Sequence, residues 1–131
     1  MGAMLRQARF RVREDDTLLR VGDATIRIDR SSLHPIVAVS GRLTVDSTPH
    51  LRSVLIGVLR ESGTGVLEID LSRVSHFDTS GFAVLLEVLI CAHERSIRLR
   101  LVGISGQPRR LAELAQLDQI FNAFGSEVTF S

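Results

Sequence analysis

The chain alternates short apolar runs with longer amphipathic ones. Residues 18–21 and 24–28 are apolar-rich and flank Gly22-Asp23, an order that suits a two-residue hairpin turn with positive φ at its first position. Residues 31–35 punctuate, and the short apolar run 36–40, ending at Gly41, predicts a strand buried on both faces. Ser47-Thr48-Pro49 offers a hydroxyl cap and a Pro in the first helical turn. Leu51, Val54, Leu55, Val58 and Leu59 follow at helical spacing, until Gly63 and Gly65 stop the helix. Residues 66–71 predict the next strand and residues 72–80 a polar loop closed by Gly81. Phe82, Leu85, Leu86, Leu89 and His93 then recur at helical intervals and predict a second helix over about 80–95. Ile97, Leu99 and Leu101 alternate with Arg98 and Arg100, as in a half-buried strand running into Val102-Gly103. Pro108 opens a third helix carrying Leu111, Leu114 and Ala115. Leu117, Ile120, Phe121 and Phe124 pack behind it, and residues 128–130 close as an edge strand.

This order of elements predicts a single α/β domain with a mixed central sheet, opened by a hairpin, with helices packed on it. Sites in such sheets lie at the carboxyl ends of strands, and the loop 72–81 is at one of them. Residues 1–16 are polar without a clean period and read as a flexible basic arm. Residues 1–3, ahead of a second methionine at Met4, read as an expression remnant, and residues 17–131 as the domain.

Composition narrows the function classes. With 44% hydrophobic residues in 131, the chain has material for one sizeable core. All 16 basic residues are Arg, set against 15 acids, and the only aromatics are six Phe sitting mostly in apolar runs; that excludes the basic, aromatic-interleaved stripe of a direct nucleic-acid binder. Four of the Arg fall within residues 1–13, which hold no acid, so the remainder carries 12 Arg against 15 acids and a net charge of −3. A single Cys, Cys91, excludes an intramolecular disulfide and points to a reducing compartment. No apolar stretch reaches the ~18 residues of a membrane span, and no secretory leader is visible. A cytoplasmic protein is expected.

The candidate chemistry lies in Asp78-Thr79-Ser80-Gly81, which leads into the second helix. Asp78, Thr79 and Ser80 are all preferred N-cap residues. Two hydroxyls and a carboxylate in succession exceed the need of one cap, and Gly81 removes a side chain that would shield Ser80. A phosphate at Ser80 would meet the positive end of a helix, so a modification there need not melt the fold. His34, His50, His76 and His93 never fall at metal-ligand spacing with another His or Cys, so no metal or cofactor is expected. Ser80, His76 and Asp78 are too close along one segment to form a nucleophile, base and orienter, and no catalytic residue is assigned.

The run VLEIDLSRVSHFDTSGF, from Val66 to Phe82, resembles the signature of the STAS domain as found in bacterial anti-sigma factor antagonists. Val39-Ser40-Gly41-Arg42-Leu43 with Pro49-His50-Leu51-Arg52 is similar to the family's second strand and first helix. The stretch carrying Gly103, Arg109, Arg110, Leu111, Leu117 and Phe121 is similar to its closing half. The likeness implies a protein without catalysis, in which Ser80 is the phosphoacceptor, Thr79 a neighbouring cap, Asp78 the residue fixing the loop and Gly81 the opening for a kinase. The partner interface would include Phe82, Arg42, Thr44 and Asp46. The implied partner is an anti-sigma factor that is also an ATP-dependent serine kinase. The unphosphorylated antagonist binds it and frees the sigma factor, phosphorylation breaks the complex, and a PP2C-type serine phosphatase resets the cycle.

One departure stands out. Many phosphorylated members read Gly-Glu-Leu-Asp where this chain reads Gly41-Arg42-Leu43-Thr44, with Asp46 two positions further on. Related STAS proteins are non-phosphorylated scaffold subunits of transport or signalling assemblies, and that reading stands beside the first. The oligomeric state is left open.

Overall fold

The computed structural model describes residues 16–61 and 65–131. Ten elements follow in chain order: β1 (Asp16–Val21), β2 (Ala24–Asp29), β3 (Ile36–Leu43), α1 (Thr48–Glu61), β4 (Val66–Phe77), α2 (Thr79–Glu94), β5 (Arg98–Ile104), α3 (Gly106–Leu114), α4 (Leu117–Ala123) and β6 (Glu127–Phe130). The six strands form one sheet in the order β1-β2-β3-β4-β5-β6. β1, β2 and β3 pair antiparallel, and β3 through β6 pair parallel. Each parallel crossover moves one strand in the same direction, and right-handed crossovers then put every helix on one face.

Burial follows that topology. Ile26, Val37, Val39, Leu67, Ile69, Leu71, Leu99 and Leu101 point to the helices and are buried, meeting Leu55, Leu59, Leu85 and Leu89 from α1 and α2. The residues between them on the strands, among them Arg27, Glu68, Asp70 and Arg100, occupy the helix-free face and are half-buried or exposed. The mixed sheet, the opening hairpin and the closing edge strand agree with the sequence expectation. Gly22 supplies the turn with φ +55 at its first position.

Several expectations are corrected. β3 is buried on one face only, because no helix covers the other, and it runs past Gly41 to Leu43. Gly41 sits at φ +97, where an added Cβ would lie 2.2 Å from the Asp23 carbonyl oxygen, so the backbone of β3 can bend against the hairpin only with glycine there. The polar loop expected over 72–80 is mostly strand. β4 continues to Phe77, with Arg73, Val74, His76 and Phe77 facing Ser40, Gly41, Arg42 and Leu43 across register shifts. Bulges break the alternation that would have marked this strand. The third helical segment is two helices, α3 and α4, separated by Gln116 in a left-handed conformation at φ 55. The expected arm lies outside the described residues except for Asp16, the first residue of β1, and the expected stop at Gly63 lies outside them too.

Candidate functional site

β3 and β4 are central neighbours, and their carboxyl ends, Leu43 and Phe77, finish side by side. The chain then turns into α1 after β3 and directly into α2 after β4, so both turns share one corner of the molecule. Asp78 holds that corner together. Its N–H donates to the Leu43 carbonyl at 3.1 Å. Its carboxylate accepts from Ser80 N–H at 2.9 Å, from Gly81 N–H at 3.3 Å and from the Ser80 hydroxyl. It is the N-cap of α2, with extended backbone at φ −110, and satisfies two of the helix's orphan amides.

The Ser80 hydroxyl bond holds the Asp78 carboxyl below its ordinary range, helped by the N–H groups of Gly81, Ser80 and Val45 and opposed by partial burial. The Val45 contribution draws the turn after β3 to the same carboxylate. Asp78 is thus charged and fully engaged. Because the Ser80 hydroxyl donates a hydrogen bond to Asp78, the lone pairs of Oγ are directed away from that carboxylate.

Ser80 is half-buried in the first turn of α2, and Thr79 before it is exposed. Gly81 corrects its expectation. It is buried, and a Cβ there would lie 3.2 Å from both the Leu43 Cβ and the Leu43 carbonyl oxygen. Its missing side chain lets α2 close on the end of β3, and it opens no path to Ser80. Phe82, half-buried, packs edge-on to Phe77 with centroids 6.5 Å apart.

Across the corner, Arg42 is exposed and faces His76 in the ladder. Thr44 is bound into the turn, its N–H donating to Ser47 Oγ at 3.1 Å and its Oγ1 accepting from Asp46 N–H at 3.3 Å. Asp46 is exposed, with its backbone carbonyl and Cβ lying against Gly22 of the hairpin. Ser47, expected as a cap, is fully buried and donates its hydroxyl to the Arg42 carbonyl at 3.0 Å, closing the turn. The structure brings Asp78, Ser80, Gly81 and the turn 43–47 together. His76 makes no hydrogen bond to Asp78 or Ser80 among the described residues. Nor do those residues contain a His, Cys, Asp or Glu cluster suited to a metal, or a helix long and apolar enough to cross a membrane.

Two features escape sequence reasoning. Gln107, in the first turn of α3, binds both backbone groups of Phe77, the residue before Asp78. Beside it, an apolar groove of about 430 Å³ runs between α2 and α3, lined by Thr79, Phe82, Ala83, Leu86, Leu111 and Leu114. Apolar spacing on each helix was visible in the sequence. That the two stripes leave a gap was not.

Comparison with known proteins fits this architecture. A family model described as "Mlab, STAS domain" matches residues 26–122. The anti-sigma-B factor antagonist of Staphylococcus aureus (strain NCTC 8325 / PS 47) is 30% identical over 93 residues, covering 70% of this chain and 85% of that protein. An anti-sigma factor antagonist from Mycobacterium paratuberculosis superposes with a TM-score of 0.65 at 22% identity, covering 84% of this chain and 86% of that one. The unphosphorylated anti-sigma factor antagonist SpoIIAA gives 0.66 at 13% identity, with 81% and 87% covered. Those two structures share the chain's fold; the family model and the staphylococcal relative go further, and the chain belongs to the STAS-domain family.

Proposed function

We propose that the chain is a non-catalytic, cytoplasmic anti-sigma factor antagonist switched at Ser80. Unphosphorylated, it binds an anti-sigma factor that is also a serine kinase, and so frees the sigma factor. Transfer of the γ-phosphoryl group of kinase-bound ATP forms the Ser80 Oγ–P bond, releases ADP and the hydroxyl proton, and ends the complex. A PP2C-type serine phosphatase hydrolyses the ester and restores binding. Support comes from the staphylococcal relative's name and from one observation, the Ser80 hydroxyl in the first turn of α2 with its proton held by Asp78 and its lone pairs turned away.

The physical effect of phosphorylation at this place is twofold. It adds about −1.5 to −2 charges at the surface of the corner. It also replaces the hydroxyl that donates to Asp78 with an ester oxygen that cannot donate, setting two anionic groups at one helix N-terminus. The helix dipole and free amides compensate in part, so the fold survives while the surface gains negative charge.

Incubation with ATP and the cognate anti-sigma kinase should add one phosphate, abolished by Ser80→Ala; full phosphorylation of the Ala variant would overturn the assignment. A second reading, a constitutive scaffold subunit, draws on Thr44 occupying the family's Asp position and serving the turn through its own hydrogen bonds. It requires Ser80→Ala and Ser80→Asp to bind the partner equally, whereas the switch requires Asp alone to weaken binding.

A further inference from the structure

We infer that the groove between α2 and α3 is the seat for an amphipathic helix of the partner, apolar on its inward face and acidic on the flank that passes Arg110. The inference rests on the antagonist reading for the partner's existence, and adds which surface it grips and what chemistry it brings.

The groove has walls at helical spacing on both sides. Thr79, Phe82, Ala83 and Leu86 on α2 are related as i, i+3, i+4 and i+7, and Leu111 and Leu114 on α3 with its C-cap residue Ala115 as i, i+3 and i+4. Each stripe is one face of a helix, and a helix seated between them would be read by anchors at the same intervals. From Thr79 to Leu86 the α2 wall rises about 10 Å, or two turns. Leu114 is 82% exposed and Phe82 and Leu86 are only half-buried, so the described residues leave this face incompletely covered. Elsewhere on the same helices Leu85, Leu89 and Ala112 are buried in the core.

Two observations select the occupant. Charge is the first. Arg110 lies one turn before Leu114 on α3, is exposed, and has no ion-pair partner among the described residues. The neighbouring Glu113 is already paired with Arg109 at 3.0 Å. On the other side of α2, Glu87 is paired with Arg52 of α1. The uncompensated charge at the rim is therefore positive, and Asp78 is turned inward onto the first turn of α2. An acidic flank is the complement, and a basic helix is disfavoured.

Continuity with the Ser80 corner is the second. Thr79 belongs to the groove wall and to the loop, and Gln107 fixes the start of α3 to Phe77 at the same end. A phosphate on Ser80 would put negative charge at the mouth through which an acidic helix passes. The seat and the switch thereby act on one partner element.

A display library of ~15-residue helical peptides, selected on the full unphosphorylated chain, tests this without kinase or ATP. Enriched sequences should carry apolar residues at i, i+3 or i+4, and i+7 with acidic residues along one flank. For the best labelled peptide, Leu114→Glu should weaken binding at least ~10-fold, and Leu114→Met should stay within about 2-fold. Arg110→Glu should weaken the acidic peptide and favour its Lys-substituted counterpart. Failure to enrich any helical sequence, enrichment of basic or extended ones, or affinity indifferent to Leu114→Glu overturns the inference. So does a dimer of the free chain that Leu114→Glu dissolves, since the groove would then belong to a second copy. Loss of Ser80 phosphorylation with intact peptide binding would instead fault the switch and leave the seat standing.

Discussion

The side-chain amide of Gln107 closes on the backbone of Phe77 through two hydrogen bonds, Phe77 N–H to Oε1 and Nε2–H to the Phe77 carbonyl, each 2.9 Å. β5 pairs with β4 only from Val66 to Asp70, so beyond that point the far edge of β4 has no ladder partner. Gln107 supplies at Phe77 the donor and acceptor that a strand would have offered. Phe77 is fully buried, and its neighbour Asp78 caps α2. One side chain on α3 thus fixes the position of the loop on α2.

Gln107→Ala should destabilise the fold by about 1–3 kcal/mol, as expected when a part-buried backbone pair loses both partners. Urea unfolding measures this, and amide exchange should quicken first at residues 77–81. Gln107→Glu is the sharper variant. Its carboxylate can accept from Phe77 N–H yet repels the Phe77 carbonyl, whereas the protonated acid can donate to it. The variant's stability relative to wild type should therefore rise as pH falls through the carboxyl range, and a flat difference would show that Gln107 acts by packing alone.

Asp78 offers a pH test of the loop itself. Its carboxyl is lowered first by the Ser80 hydroxyl and then by backbone N–H groups, so its folded value lies below its unfolded one. The stability it contributes is fully present above the ordinary Asp range and is lost as pH falls through the lowered folded value. Ser80→Ala should shift the Asp78 titration, followed by its carboxyl carbon resonance, upward toward the ordinary range. The stability gap between Ser80→Ala and wild type should be widest near neutrality and shrink in acid. Asp78→Ala should cost about 1 kcal/mol and Asp78→Asn much less, because Asn also caps well.

The same corner separates what was legible in the sequence from what was not. Periodicity gave α1, α2 and β5 because each has one buried face, and the hairpin followed from Gly22-Asp23. β4 beyond Leu71 has the pattern of a loop because Ser72, Arg73, Ser75 and His76 are polar, and the bulges against β3 displace Val74 and Phe77 from a period of two. Asp78, Thr79 and Ser80 announced a helix start through residue type alone. The partners that fix them, Leu43, Val45 and, through Phe77, Gln107, lie more than 25 residues away and carry no local signal. The place of Gly81 is hidden for a related reason. A glycine's missing side chain is filled by whatever faces it, and only the fold brings Leu43 there.

Leu114 and Leu117 stand three residues apart, yet they should respond very differently to truncation. Leu117 is fully buried at the start of α4, and Leu117→Ala should cost about 2–5 kcal/mol through lost burial and the cavity left behind. Leu114, on the groove rim, is 82% exposed, and Leu114→Ala should stay within about 0.5 kcal/mol of wild type. Parallel denaturation curves decide it; a large loss at Leu114 would mean that the chain's own residues cover the groove in solution.

Gly81→Ala sets two effects against each other. Within a helix, Ala is favoured over Gly by about 1 kcal/mol. Here the new methyl would meet Leu43 Cβ and the Leu43 carbonyl oxygen at 3.2 Å, and that carbonyl is held by the Asp78 N–H. The side chain of Leu43 is fully buried in the core, where a shift would disturb its neighbours. Separating α2 from β3 would stretch the bond from Asp78 to Leu43 and pull the cap off its amides, a packing strain of about 1–3 kcal/mol. Strain should win, leaving Gly81→Ala less stable than wild type in thermal or urea unfolding, with Gly81→Val worse. A double variant, Gly81→Ala with Leu43→Ala, should be less damaged than the two single losses added together, because the smaller residue 43 makes room for the methyl. Strict additivity would place the conflict with the carbonyl oxygen, which no side-chain change at position 43 removes.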